Sequence, residues 1–216
     1  MDVEWAADRI YAAAFINAGQ VCYATKRVYA PRAIADHLAA ALARRAVSAV
    51  LGDGMDPATT MGPLQNRMQY DKVLGYIASA REEGGTFLCG GDPTGHGYFI
   101  APAIVTGLPN DARIVREEQF GPVLPIQVYD DLDDAIAQAN DVEYGLGGTI
   151  WTGDVRRGIE VAGRIETGTI WVNQHMALPL DLPFGGAKES GIGLQNGIEG
   201  MKDFTQLRIL NAKLAA

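Results

Sequence analysis

Gly148-Thr149-Ile150-Trp151 and Gly168-Thr169-Ile170-Trp171-Val172-Asn173 stand on either side of a polar segment, Asp154 to Gly163. The two short runs are rich in the β-branched and aromatic side chains that suit a pleated surface. The segment between them has helical character and is long enough to cross a sheet and return, which makes the two strands parallel. This strand–helix–strand unit decides the fold class. The same grammar continues upstream. Pro122 to Tyr129 is an apolar strand, and Asp130 and Asp131 offer caps for a helix over Leu132–Asn140.

Nearer the start, Asp2 caps a helix running to about Phe15, with Val3, Ala6, Ala7, Ile10, Ala13 and Ala14 at helical spacing. Arg27 to Ala30 reads as a strand. Pro31 opens the next helix, whose apolar stripe of Ile34, Leu38, Leu42, Ala46 and Val50 ends at Gly52-Asp53-Gly54. A further helix is expected over residues 66–83, with Val73, Leu74 and Ile77 inward and Gly84-Gly85 as its stop. Tyr98 to Ile100 and Ala103 to Val105 are strand candidates separated by Pro102. Short apolar strands alternating with helices predict an α/β fold: an open, mostly parallel, twisted sheet with helices on both faces. The last stretch, Gln206 to Leu214, alternates polar and apolar residues and reads either as a half-exposed strand or as a frayed end. The division is a main body over residues 1–203 and a tail over 204–216.

A chain of 216 residues exceeds the roughly 150 of an average domain and can bury roughly 70% of its unfolded surface. A net charge of −8 disfavours nucleic acid as a partner. No apolar run approaches the roughly 18 residues that span a bilayer. The opening Met1-Asp2-Val3-Glu4 is acidic where a secretory leader is basic. With only Cys22 and Cys89 as thiols, the expected setting is a reducing cytoplasm, with no membrane partner. His37, His96 and His175 lack metal-ligand spacing, so no metal site is expected. Cys89 reads as packing near a strand end.

Cys22 closes the run Phe15-Ile16-Asn17-Ala18-Gly19-Gln20-Val21-Cys22. A thiol after a glycine-bearing loop can meet a substrate with little backbone in the way, and its thiolate is a strong nucleophile. Taken alone, such a cysteine reads equally as a small buried hydrophobe. The run resembles the active-site segment of the NAD(P)-dependent aldehyde dehydrogenases. Four further stretches resemble that family in the same order: Glu117-Glu118-Gln119-Phe120-Gly121-Pro122, Asn140 through Tyr144-Gly145-Leu146, Gly168 to Asn173, and Pro183-Phe184-Gly185-Gly186-Ala187-Lys188-Glu189-Ser190-Gly191.

The resemblance implies an aldehyde as substrate, NAD or NADP as cofactor, and Cys22 as the catalytic nucleophile that passes through a thiohemiacetal and a thioester. It implies that Glu118 holds the nicotinamide ribose and that Phe120 lies against the nicotinamide. Gln69 and Lys72 match positions near the adenosine ribose, though a polar helical face accounts for them equally well. Val21, Tyr23, Phe184, His175 and Leu178 match positions along the aldehyde tunnel, though His175 reads equally as a surface loop residue. Asn173 and Lys188 are expected to hold loops, and Arg27 is a weak candidate for favouring the thiolate. The resemblance also implies a homo-oligomer that pairs through the tail strand. Members of the family carry a cofactor domain, a Glu base and an Asn oxyanion donor upstream of the Cys segment. The expectation for this chain is therefore a catalytic domain without its N-terminal cofactor domain, binding NAD weakly or not at all. Two alternatives stay open: a thiol esterase or acyl acceptor, and a non-enzymatic assembly fragment.

Overall fold

The computed structural model describes residues 1–95 and 97–214. His96, Ala215 and Ala216 lie outside the described residues, so the expectation for His96 and the end of the tail are not addressed by it.

Four strands form the main sheet: β1 (Val28–Pro31), β2 (Thr86–Cys89), β3 (Ala103–Thr106) and β4 (Val123–Tyr129), in the order β1-β4-β3-β2. β4 runs parallel to both β1 and β3, pairing Val28 with Ile126 and Ala103 with Val123. β2 is antiparallel to β3. Five consecutive β4 residues, Val123 to Gln127, are buried, as a strand with neighbours on both edges and helices on both faces requires.

The period-2 alternation of strand side chains sorts the core into two layers. Ile104, Leu124 and Ile126 face α1 (Val3–Phe15) and α2 (Arg32–Val47). Ala103, Val105 and Val123 face α3 (Arg67–Glu82) and α4 (Arg113–Arg116). Asp2 caps α1 by accepting from the Glu4 and Trp5 N–H groups, and Asn66 caps α3 by accepting from Gln69 N–H. α2 ends at Val47, before the expected stop. The Val50 carbonyl accepts instead from the N–H groups of Thr60 and Met61, which takes that residue out of the helix. Tyr98 to Ile100 forms no strand. Ile100 makes one isolated bridge to Pro93, and the left-handed Gly95 and Gly97 bend the backbone before a ladder can extend.

After α5 (Leu132–Asn140) the chain builds smaller ladders. β5 (Tyr144–Gly145) pairs with β9 (Ala187–Lys188), and β8 (Phe184–Gly185) with β10 (Leu194–Gln195). Between them, β6 (Gly147–Ile150), α6 (Val155–Ala162) and β7 (Thr169–Val172) form the expected parallel unit, with Ile150 opposite Val172. Gly158 lets α6 approach Thr152 and Val172 closely. This ladder is not hydrogen-bonded to the main sheet, so the parallel strands form two sheets rather than one. β1 and β6 each have a partner on one side only, and both line a cleft of about 780 Å³.

The final helix, α7 (Gly197–Lys202), precedes the tail. Residues 206–214 are exposed and lie outside helix and strand. Among the described residues, no helix is long and apolar enough to cross a membrane, and no cluster of His, Cys, Asp and Glu is arranged to hold a metal ion.

Candidate active site

The loop before Cys22 owes its shape to three successive left-handed residues, Asn17, Ala18 and Gly19, at φ 50°, 54° and 74°. Asn and Gly adopt this region readily, whereas Ala18 does so at a cost of about 1 kcal/mol. The side chains of Asn17 and Gln20 fasten the reversal by donating to each other's carbonyls at 3.2 and 3.0 Å. Gln20 Oε1 also accepts from the Gln65 N–H at 2.9 Å, which anchors the loop to the approach to α3. Gly19 is required for space as well as for conformation, since a Cβ there would collide with the Gly121 carbonyl. A turn then closes with Ala24 N–H donating to Val21 O at 3.0 Å, and Cys22 stands exposed at its tip.

Residues 117–121 face this turn. Glu117 is engaged elsewhere. The Tyr76 hydroxyl donates to it at 2.8 Å and Arg113 pairs with it, and these bonds hold its carboxyl below the usual range. Burial, followed by the same hydrogen bond, pushes Tyr76 up to about 12. Glu118 turns the other way, is half-buried, and lines the cleft with Cys22. Among the described residues no hydrogen-bond donor reaches its carboxylate. Phe120 holds a left-handed φ of 48°. That bend is secured by Gln69, whose amide donates to the Gln119 and Phe120 carbonyls at 3.0 and 2.9 Å.

The sequence reading did not single out two residues at this junction. Gln119 is fully buried and donates to the Lys26 and Val123 carbonyls at 3.0 and 2.7 Å. Lys26 Nζ donates to the Gly19 carbonyl and lies 4.8 Å from the centroid of the Phe120 ring. Burial lowers its ammonium to about 8, while the charges of Glu118 and Cys22 act in the opposite direction. A charged residue four places after the nucleophile, where a turn folds back, was the available signal. Arg27 was the residue considered instead. It points away, donating to the Val115 carbonyl at 3.2 Å.

The second wall is aromatic. Tyr23 packs edge-on against Phe184 at 5.7 Å, and Trp171 packs against His175 at 4.9 Å. His175 Nε2 donates to the Tyr23 carbonyl at 2.8 Å, so Nδ1 of the neutral ring accepts from the Thr149 hydroxyl at 2.6 Å. Burial holds this imidazole below its ordinary value, against the opposing effect of the Tyr23 bond. Asn173 bonds the Thr152 backbone through both side-chain atoms, and Lys188 is bonded to the Val142 carbonyl and paired with Glu166, so both hold loops. Cys89 is half-buried with Sγ 3.7 Å from the Pro102 carbonyl, and burial raises its thiol.

Cys22, Tyr23, Glu118 and His175 therefore meet in one cleft. Phe120 and Gln69 line a second cavity of about 580 Å³ beside it. Val21 and Leu178 are half-buried and belong to neither lining, and Phe184 is buried beneath Tyr23. Lys72 is exposed on α3, with its ammonium 5.7 Å from the Tyr76 ring centre.

Residues 1–210 match the family described as the aldehyde dehydrogenase family. The chain is 40% identical to a betaine aldehyde dehydrogenase of Brucella anthropi, over 99% of this chain and 45% of that protein. A Mycobacterium tuberculosis aldehyde dehydrogenase crystallised with NAD+ superposes with a TM-score of 0.91 at 43% identity, over 95% of this chain and 43% of its own. The NAD+ complex of a Bacillus cereus aldehyde dehydrogenase gives the same TM-score, 0.91, at 36% identity, covering 95% of this chain and 42% of that one. The chain thus spans less than half the length of these relatives.

Proposed function

The chain belongs to the aldehyde dehydrogenase family, and from that premise we propose that it supplies the nucleophile and one wall of the cofactor cleft for oxidation of an aldehyde to a carboxylic acid. The supporting observation is an exposed Cys22 thiol sharing a cleft with an uncommitted Glu118 carboxylate. The Cys22 thiolate forms a bond to the aldehyde carbon as the carbonyl electron pair moves to oxygen, giving a thiohemiacetal. The Cys22 backbone N–H donates to the oxyanion that develops.

A carboxylate with free lone pairs, beside a cleft, fits the paired hydroxyls of a ribose. Glu118 would hold a nicotinamide nucleotide there, with Phe120 as a second contact. NAD or NADP, when bound, accepts the hydride that leaves the substrate carbon. The thioester left on Cys22 is cleaved by water, which releases the acid and restores the thiol. Tyr23, Phe184 and His175 shape the aldehyde's side of the cleft. Val21 and Leu178 support that wall, and Gln69 and Lys72 extend the cofactor's side. The 216 residues alone are expected to bind NAD weakly or not at all, because a single wall buries little of a dinucleotide. The exposed tail, residues 204–214, would pair with a second copy of the chain in a cytoplasmic oligomer.

The test is Cys22→Ala in the enzyme that contains this chain. Aldehyde-dependent formation of NADH, followed by absorbance, is expected to fall to background. Unchanged turnover would refute the assignment. Deleting residues 206–216 should reduce the sedimenting mass, and an unchanged mass would remove the tail's role in assembly.

A further inference from the structure

Lys26 is joined to the site at both ends. Its backbone carbonyl accepts from Gln119, and its ammonium reaches back to the Gly19 carbonyl and over the Phe120 ring. Among the described residues no carboxylate lies within ion-pair distance of Nζ. A lysine used only for its stem sends its charged head to water. Here the half-buried side chain turns its head back onto a carbonyl dipole and an aromatic face, although withdrawing an ammonium from water without a counter-ion is costly. A charge retained at such cost beside a reacting group marks a functional site more often than a packing residue.

We propose that Lys26 is the positioning residue of this site, locking the nucleophile turn onto the Phe120 segment and lending its positive charge to Cys22. The proposal rests on the reading of Cys22 as the nucleophile. The ammonium has two consequences for the cleft. It ties the Gly19 carbonyl to the Phe120 ring, which joins the loop before Cys22 to the 117–121 segment. It also places a positive charge on the loop that carries the nucleophile, and a cation near a reacting sulfur favours attack as the thiolate. The titratable groups facing it are Glu118 and Cys22. Lys26 itself is charged below about pH 8 and neutral above, so its contribution to Cys22 is present at neutral pH and is lost as the pH rises through that value.

Alkylation of Cys22 by iodoacetamide tests this without cofactor or aldehyde, with Cys89 in the same chain as the reference thiol. At pH 7, Lys26→Met keeps the length of the side chain and removes the charge, and is expected to slow Cys22 alkylation about five- to tenfold while leaving Cys89 unchanged. Lys26→Arg keeps the charge and can stack on Phe120, and should stay within about twofold of the parent. A packing role alone predicts the reverse order. A Lys26→Met chain that alkylates as fast as the parent, or a Lys26→Arg chain as slow as Lys26→Met, overturns the proposal.

If Lys26→Met fails to fold, the parent chain decides by carbon-13 NMR of the lysine ε-carbons. The Lys26 signal should titrate near pH 8 and move to lower pH in Glu118→Gln. A midpoint at the ordinary value of about 10.4 overturns the proposal. Failure here is separable from failure of the catalytic reading. If Cys22→Ala left aldehyde oxidation intact, the nucleophile assignment would fall while the alkylation contrast still reported on Lys26.

Discussion

The residues up to Tyr129 and those after it fold by different means. Both hydrophobic clusters draw their buried members from residues between Ala6 and Ile126. Past that point the buried apolar residues are few, Trp171 and Phe184 among them, whereas Ile159, Leu180, Ile192, Phe204 and Leu207 are exposed. The first region is a sheet covered on both faces, and it holds both buried clusters. The second consists of two-stranded ladders and short helices, joined to the first by α5, by the Trp5–Trp151 and Tyr23–Phe184 ring contacts, by the Arg116–Asp141 pair and by the His175 bond. The candidate site lies on the seam between them. The nucleophile and Glu118 come from the well-packed side, and the aromatic wall comes from the sparsely packed one. Positioning of the thiol is therefore more robust than positioning of whatever it attacks.

The sharpest contrast should come from the two cores. Leu42 is 0% exposed between α2 and the sheet, and Ile159 is 61% exposed on α6. Leu42→Ala is expected to cost about 3 kcal/mol, in line with cavity-forming changes in cores. Ile159→Ala should stay within about 0.5 kcal/mol, as surface changes do. Urea unfolding of the two variants measures both. Equal losses would mean that the second region contributes a core of its own, and the distinction would fail.

Gly19→Ala comes next, and it probes the seam from the first region's side. The substitution places a Cβ at φ 74° and drives it into the Gly121 carbonyl. The expected loss is about 2 kcal/mol, combining backbone strain with displacement of the 117–121 segment. Cys22 alkylation should slow in the same variant, because the turn and Phe120 no longer share a frame. A variant as stable as the parent would show that the loop can yield without disturbing the segment behind it.

The amino-acid sequence made the first region legible because its signals are local and periodic. Asp2 caps where its side chain predicted, the helix expected from about Asn66 begins there, and the apolar run from Val123 is the buried central strand. It also singled out Cys22 and Glu118, each from a motif of several residues, and the structure brings the two to one cleft. Lys26 and Gln119 were not legible. Their roles depend on which carbonyls a reversal of the chain brings within reach, and neither periodicity nor spacing encodes that. The separation of β6 and β7 from the main sheet was missed for a similar reason. A strand–helix–strand pattern specifies its own pairing and says nothing of which edge lies beside it. The tail's alternation allowed either a strand or a frayed end, and residues 206–214 pair with no strand of the chain, because alternation specifies a face and not the edge that a strand must join.

The smallest effect is a pH dependence carried by the bond that crosses the seam. His175 belongs to the second region and donates through Nε2 to the Tyr23 carbonyl of the first. Its folded-state value lies below the ordinary one because burial disfavours the charged ring. Well above about pH 6.5 neither the folded nor the unfolded state binds this proton, so His175 adds no slope there. As the pH falls below that value, the unfolded chain takes up the proton while the folded imidazole stays neutral, and stability declines until the folded value is passed. His175→Gln removes the titration and keeps an N–H donor for the carbonyl. The variant should lose less stability than the parent between pH 7.5 and pH 5, as read from urea midpoints at the two values. Identical slopes would mean that the imidazole is not held neutral at the seam. A shallower slope would show that the folded imidazole is held neutral where the two regions meet.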